Sequence, residues 1–305
     1  MILDGIEKIL KEHPIAKDVD ELSVGVLDFN NGDSSKFIFE SDGEKLLKKD
    51  QSSFYDLASL TKPLTIGLLQ FLYPEFVKEP DKSLLLSHRS GLPAWGLLSN
   101  HDWRDQISSY PIKESDTLYS DFGAIRAQLE FEKQAGQSLF DSVASCWNDN
   151  IVHWSEVNKD HCLNTGERGY KKIKGDVHDP NAWVIKEKVS HAGLFATLGG
   201  IIATLFYLED KFSFTDYFYR LISLNDQRFI NGWDTVTDKS ETLAGHECGD
   251  YLIGHMGFTG TSMWIDCQSK LGVLILSNGT RDGWYNKKNL NEVRRMIGNY
   301  IWTMR

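Results

Sequence analysis

Phe54-Tyr55-Asp56-Leu57-Ala58-Ser59-Leu60-Thr61-Lys62-Pro63 sets a serine and a lysine three residues apart. At the start of a helix this spacing places both side chains on one face, a turn from each other. A serine hydroxyl is a poor nucleophile at neutral pH. A partly desolvated lysine gives up its proton more readily and can help to deprotonate the serine. The pair is a candidate acyl-transfer centre. Leu64, Leu68, Leu69 and Leu72 keep a helical spacing and predict one helix running on from the pair. Pro63 is tolerated in its first turn.

Upstream, Leu22 to Phe29 reads as a strand, Asn30-Asn31-Gly32-Asp33 as a hairpin turn and Lys36 to Glu40 as the returning strand. Ile2, Ile6, Ile9 and Leu10 give Met1–Leu10 the face of an amphipathic helix. Downstream, loops and short helices fill the stretch from Tyr73 to Ile185. Within it a longer helix is predicted from near Asp121 to Ala135, with Gly136 as its C-terminal cap. An apolar helix is expected after Gly193–Gly200, running through Leu208. Gly260–Asp266 and Leu271–Ser277 predict adjacent antiparallel strands, and Leu290–Met304 a last helix with Val293, Ile297, Tyr300 and Ile301 on one side. Strands near both ends and a helical middle imply an α/β (α+β) unit. Residues 1–72 and 186–305 form an α/β region closed by both termini, and residues 73–185 a mostly helical and loop region, interlocked as one catalytic unit.

The composition narrows the class. A net charge of −10 argues against a nucleic-acid partner, which calls for a basic face. No apolar run reaches the length of a membrane span. The first ten residues lack the layout of a signal peptide. The expected compartment is the cytoplasm if the chain is complete as given, and an exported one if a leader has been removed. Cys146, Cys162, Cys248 and Cys267 show no close pairing, and buried free thiols are expected over disulfides or metal ligands. His246-Glu247-Cys248 with His255 fits no standard zinc spacing. No metal and no cofactor is expected. The oligomeric state is not legible.

Further motifs follow Ser59 and Lys62 in order. Tyr119-Ser120-Asp121 comes about sixty residues later, and His255-Met256-Gly257-Phe258-Thr259-Gly260 directly before a strand. Together they resemble the S-x-x-K, Y-x-N and K-T-G or H-x-G motifs of the penicillin-recognising serine hydrolases, among them class C β-lactamases, D-alanyl-D-alanine carboxypeptidases and related esterases. Leu85–Pro93, Val177–Ala182, Ser190–Phe195 and His255–Asp266 are similar to further segments of one branch of that superfamily, in the same order.

The resemblance implies a β-lactamase/transpeptidase-like fold, an antiparallel sheet flanked by helices with an inserted helical region. It implies that Ser59 is acylated, Lys62 holds or receives its proton, and Tyr119 shuttles a proton to the leaving group. His255, Gly257, Phe258 and Asp121 would bind substrate, with the N–H groups of Ser59 and Phe258 as the oxyanion hole. Two positions depart from the pattern. His255 stands where many relatives have a permanently charged lysine for a substrate carboxylate, and Arg89 and Arg281 are the candidate substitutes. Asp121 stands where Asn is usual; an ionised carboxylate cannot donate to a substrate carbonyl, and pairing with Lys62 would keep the lysine protonated. His88, His178 and His191 read as structural hydrogen-bonders, and the role of Asp179 stays open. The expected substrates are small: a D-amino-acid-containing cell-wall peptide first, a β-lactam or an ester next. A weakly active or non-catalytic binder of muropeptides or penicillin is the alternative from another class.

Overall fold

A computed structural model describes residues 2–283 and 287–304. Met1, which opens the predicted first helix, lies outside them. Thirteen strands are present among the described residues. In chain order they are β1 Glu21–Asp28, β2 Asp33–Ser41, β3 Leu46–Lys49, β4 Tyr55–Asp56, β5 Ile151–His153, β6 Asn164–Arg168, β7 Lys171–Lys174, β8 Leu194–Ala196, β9 Phe229–Ile230, β10 Trp233–Thr235, β11 Leu252–Met256, β12 Ser262–Asp266 and β13 Leu271–Ser277. Eight of them form one antiparallel sheet in the order β3-β2-β1-β13-β12-β11-β10-β9.

The centre of the sheet joins the two ends of the chain. Leu22 of β1 pairs with Ser277 of β13, and the register holds through Asp28 and Leu271. β1 is buried along nearly its whole length, since both faces of the sheet are covered. On one face, Ile6 and Leu10 of the helix Ile2–Glu12 and Val293, Ile297 and Ile301 of the helix Lys288–Trp302 close over Val24, Ile275 and Trp264. On the other, the helix Leu198–Phe212 presents Ile201, Ile202 and Leu205 to a larger core that continues into the helical region. Two small sheets, β4-β8-β5 and β6-β7, flank this core. The helix Asp121–Ala135 ends where expected, with Gly136 at φ 67° and its N–H on the Glu132 carbonyl.

The helix predicted through Leu64–Leu72 is broken instead. A 3-10 turn Ala58–Leu60 leads into a single α-turn Thr61–Leu64, then a 3-10 turn Ile66–Leu68 and another α-turn Leu69–Leu72. The break falls at Thr65, with φ −123° and ψ −91°. Its hydroxyl donates back to the Thr61 carbonyl at 2.7 Å, a local bond that competes with helix propagation. Indole N–H groups then take carbonyls that a helix would have used. Trp147 Nε1 donates to Leu64 O at 2.8 Å and Trp233 Nε1 to Gly67 O at 3.2 Å. A Cβ on Gly67 would lie 2.7 Å from that indole nitrogen, so the approach requires glycine. The apolar residues stay buried all the same, which is why their spacing imitates a continuous helix.

Candidate active site

Ser59 sits in the 3-10 turn just after β4. The turn is held from below by Asp56, whose buried carboxylate accepts the Ala58 N–H at 2.8 Å and the His178 N–H at 2.6 Å. Ala58 takes φ 46°, a left-handed conformation that a non-glycine residue adopts only where its surroundings fix it. Burial pushes the Asp56 carboxyl up to about 7 against these two hydrogen bonds.

One α-turn on, Lys62 is fully buried, and its Nζ lies 3.0 Å from Ser59 Oγ, 2.7 Å from Asp121 Oδ1 and 3.1 Å from the His191 carbonyl. Burial alone would lower its pKa. The Asp121 charge, with Tyr119, overrides burial and raises it to about 12. Asp121 opens the helix Asp121–Ala135, and Ser120 caps that helix through Gly123 N–H at 2.8 Å. The Tyr119 ring faces Lys62 Nζ at 4.9 Å from its centroid and packs beside His88, Phe229 and His255. Burial raises the Tyr119 phenol, outweighing the Lys62 charge that favours phenolate. In this arrangement both candidate bases carry their protons at neutral pH.

His255, which stands where a permanently charged lysine is usual, is a buried imidazole. It is 3% exposed, and its Nδ1 lies 2.9 Å from the Met256 carbonyl. A carbonyl only accepts, so Nδ1 carries the hydrogen and Nε2 keeps its lone pair. Burial, then the Lys62 charge, lowers its pKa to about 3. His255 is neutral, so it adds no positive charge beside Tyr119. Gly257 follows at a point of close approach: a Cβ there would lie 2.3 Å from the Leu57 carbonyl. The loop is tied to the Ser59 turn by Thr259 Oγ1 to Asp56 O at 2.6 Å and Thr261 Oγ1 to Leu57 O at 3.1 Å.

Ser59, Tyr119, His255, Gly257 and Phe258 line one cavity of about 320 Å³. Neither Arg89 nor Arg281 is among its lining residues. Arg89 pairs with Glu114 at 2.7 Å, and Arg281 is bound to Asp20 and Asp282. The cations in the cavity are Lys287, Arg294 and Arg228, and Arg228 already pairs with Asp234. Arg294 is buried, donating to Asn291 Oδ1 at 3.0 Å and the Thr261 carbonyl at 2.9 Å. Lys287 donates to the Phe258 carbonyl and lies 3.7 Å over the Phe258 ring. Among the described residues neither has a carboxylate within salt-bridge reach. Burial lowers Arg294 to about 10, and burial with the Arg294 charge lowers Lys287 to about 8. These cations were missed in the sequence, yet Arg294 interrupts the apolar stripe of the last helix between Leu290 and Ile297, and that was a readable signal.

Two histidines of the flanking segments make structural hydrogen bonds. His88 Nδ1 accepts the Ser120 N–H at 3.0 Å. His191 Nε2 pairs with Asp179 at 2.9 Å, while Asp179 also caps the helix Pro180–Ile185 through the Ala182 N–H at 2.7 Å. The His191–Asp179 pair supports the backbone carbonyl that accepts from Lys62. The four cysteines are buried and outside any disulfide.

Solved structures share this chain path. The D-amino acid amidase from Ochrobactrum anthropi SV3 superposes with a TM-score of 0.65 at 15% identity, covering 100% of this chain and 99% of its own. The class C β-lactamase from Rhodobacter sphaeroides gives 0.60 at 14%, covering 99% and 98%. This is a β-lactamase-like fold. A hydrolase with promiscuous acyltransferase activity shares the fold, with a TM-score of 0.63 at 13% identity and 98% of each chain covered. No family model matches the chain. In sequence, the N-acetylmuramyl-L-alanine amidase of Bacillus subtilis (strain 168) is 34% identical over 122 residues, 35% of this chain. The match takes in 26% of that relative's length.

Proposed function

We propose that this chain is a serine amidase that cleaves an amide bond of a carboxylate-bearing, cell-wall-derived muropeptide through an ester on Ser59. The observation that carries the reading is Lys62 Nζ, 3.0 Å from Ser59 Oγ at the edge of a cavity that also holds Lys287 and Arg294. Ser59 Oγ attacks the amide carbonyl. The Oγ–C bond forms, the C–N bond breaks, and the serine proton passes by way of Lys62 and Tyr119 to the departing amine. Water then cleaves the ester, releasing a carboxylic acid and regenerating Ser59. The N–H groups of Ser59 and Phe258 serve as the oxyanion donors. Lys287 and Arg294 hold the substrate carboxylate in place of the family lysine, and neutral His255 offers Nε2 as an acceptor to a substrate N–H.

The partial likeness to a muramyl-alanine amidase favours the amide between the lactyl group of muramic acid and L-alanine. The D-alanyl-D-alanine carboxypeptidase expectation is the same chemistry at another amide, and the Lys287–Arg294 pair suits its terminal carboxylate equally. β-Lactam and ester hydrolysis use the same steps. The test is a panel of muramyl dipeptide, a D-alanyl-D-alanine peptide, a penicillin and a fluorophosphonate probe, with wild type beside Ser59→Ala. Adduct formation on wild type, absent in Ser59→Ala, is expected. Labelling that survives Ser59→Ala rejects the nucleophile, and binding without turnover of any substrate favours the non-catalytic muropeptide binder.

A further inference from the structure

A second cavity, of about 390 Å³, lies beyond the catalytic one. Phe258 and His178 form the partition: Phe258 lines the Ser59 cavity, and its ring lies tilted against His178 with centroids 5.5 Å apart. His178 lines the second cavity with Glu167, Thr280 and Arg281. Among the described residues, two polar atoms of this lining have no hydrogen-bond partner, Thr280 Oγ1 and His178 Nδ1, and Thr280 is 1% exposed. Leaving such groups dry costs free energy, so a lining of this kind is built to be hydrogen-bonded by something else.

The chemistry of the lining narrows the occupant. Arg281, its one cation, is already committed to Asp20, Asp282 and the Lys17 carbonyl, which leaves an anion without a counter-charge. Glu167 and His178 Nδ1 accept, and the Thr280 hydroxyl does either. A neutral ligand with several hydroxyl groups meets all three. We infer that the second cavity is a subsite for a pyranose ring, placed so that one substrate spans it and the Ser59 cavity across Phe258. The inference rests on the muropeptide amidase reading above and gives its sugar a place.

The experiment compares N-acetylmuramyl-L-alanyl-D-isoglutamine with the sugar-free D-lactyl-L-alanyl-D-isoglutamine, which keeps the same scissile amide. Affinity is measured by calorimetry on Ser59→Ala, and kcat/KM on the otherwise wild-type chain. The sugar-bearing compound binds roughly tenfold to a hundredfold more tightly, the effect of one or two hydrogen bonds. Thr280→Val and, separately, the exposed Glu167→Gln remove most of that preference and leave affinity for the sugar-free compound unchanged. Equal affinity for the two compounds, or a preference that survives both substitutions, overturns the subsite. Turnover of both compounds without preference rejects the subsite and keeps the amidase reading. A sugar preference in binding, lost in both variants, with no turnover of either compound keeps the subsite and rejects the amidase.

Discussion

Lys62 is where the chemistry of the site is decided. Asp121 holds it protonated up to about 12, so the free base is scarce at pH 7. The rate of Ser59 acylation is therefore expected to climb with pH from about 6 to 9, close to tenfold per unit, without levelling. Asp121→Asn removes the charge that outweighs burial, and the climb then moves to lower pH by about one unit or more; a pH–rate profile of acyl-probe labelling reads this directly. An unshifted profile would rule out Lys62 as the titrating base. Lys287→Met raises KM for a carboxylate-bearing substrate by about tenfold and leaves its neutral amide analogue little affected. His255 carries a prediction of stability. Its folded pKa, about 3, lies below the ordinary value of 6.5, so between those limits the unfolded chain binds the extra proton. Stability is then lost as pH falls from 6.5, at up to about 1.4 kcal/mol per unit for this group. His255→Gln flattens that dependence in urea unfolding measured between pH 7 and 5, and an unchanged slope would contradict the buried neutral imidazole.

The nucleophile turn is built from elements that hold one another. Asp56 fixes the turn and the His178 segment together, and the β11 loop is pressed against the Leu57 carbonyl at Gly257. Gly257→Ala forces that backbone contact apart. It is expected to cut labelling of Ser59 by about a hundredfold, with a melting temperature lowered by a few degrees, about 1–3 kcal/mol; near-normal labelling would show that the loop yields freely. At this scale the sequence told much, though not everything. Strong local signals survived: the Asn-Gly hairpin, the glycine-capped helix Asp121–Ala135 and the paired strands ending at Asp266 and Ser277. The broken segment after Ser59 did not, because Trp147 and Trp233, far away in sequence, supply the bonds that break it. The three-residue strand β8 was hidden inside the run leading to an apolar helix, where it is too short to show a period. The residues of the site were readable by motif order. Their protonation was not, since burial and pairing set it.

Across the whole molecule the cavity is a meeting of distant parts. Ser59 comes from one end of the chain, Tyr119 from the middle, and His255, Lys287 and Arg294 from the other end. The legible part was that both ends contribute strands; that the last helix brings Arg294 to the Ser59 cavity is a property of the assembled packing. The central seam of the main sheet has a consequence for how the protein is made. Leu22 must find Ser277, so the hairpin β1–β2 leaves the ribosome long before its neighbour exists and presents the unpaired edge of β1, with its Val and Leu side chains, in the meantime. Closing so long a loop is slow, and folding here is set by late, non-local pairing. A chain that stalls before β13 has no completed sheet and no Lys287 or Arg294. Synthesis to nearly the last helix is thus the step that switches the cleft on, and shorter products are expected to be held by chaperones or degraded before they can act on any substrate.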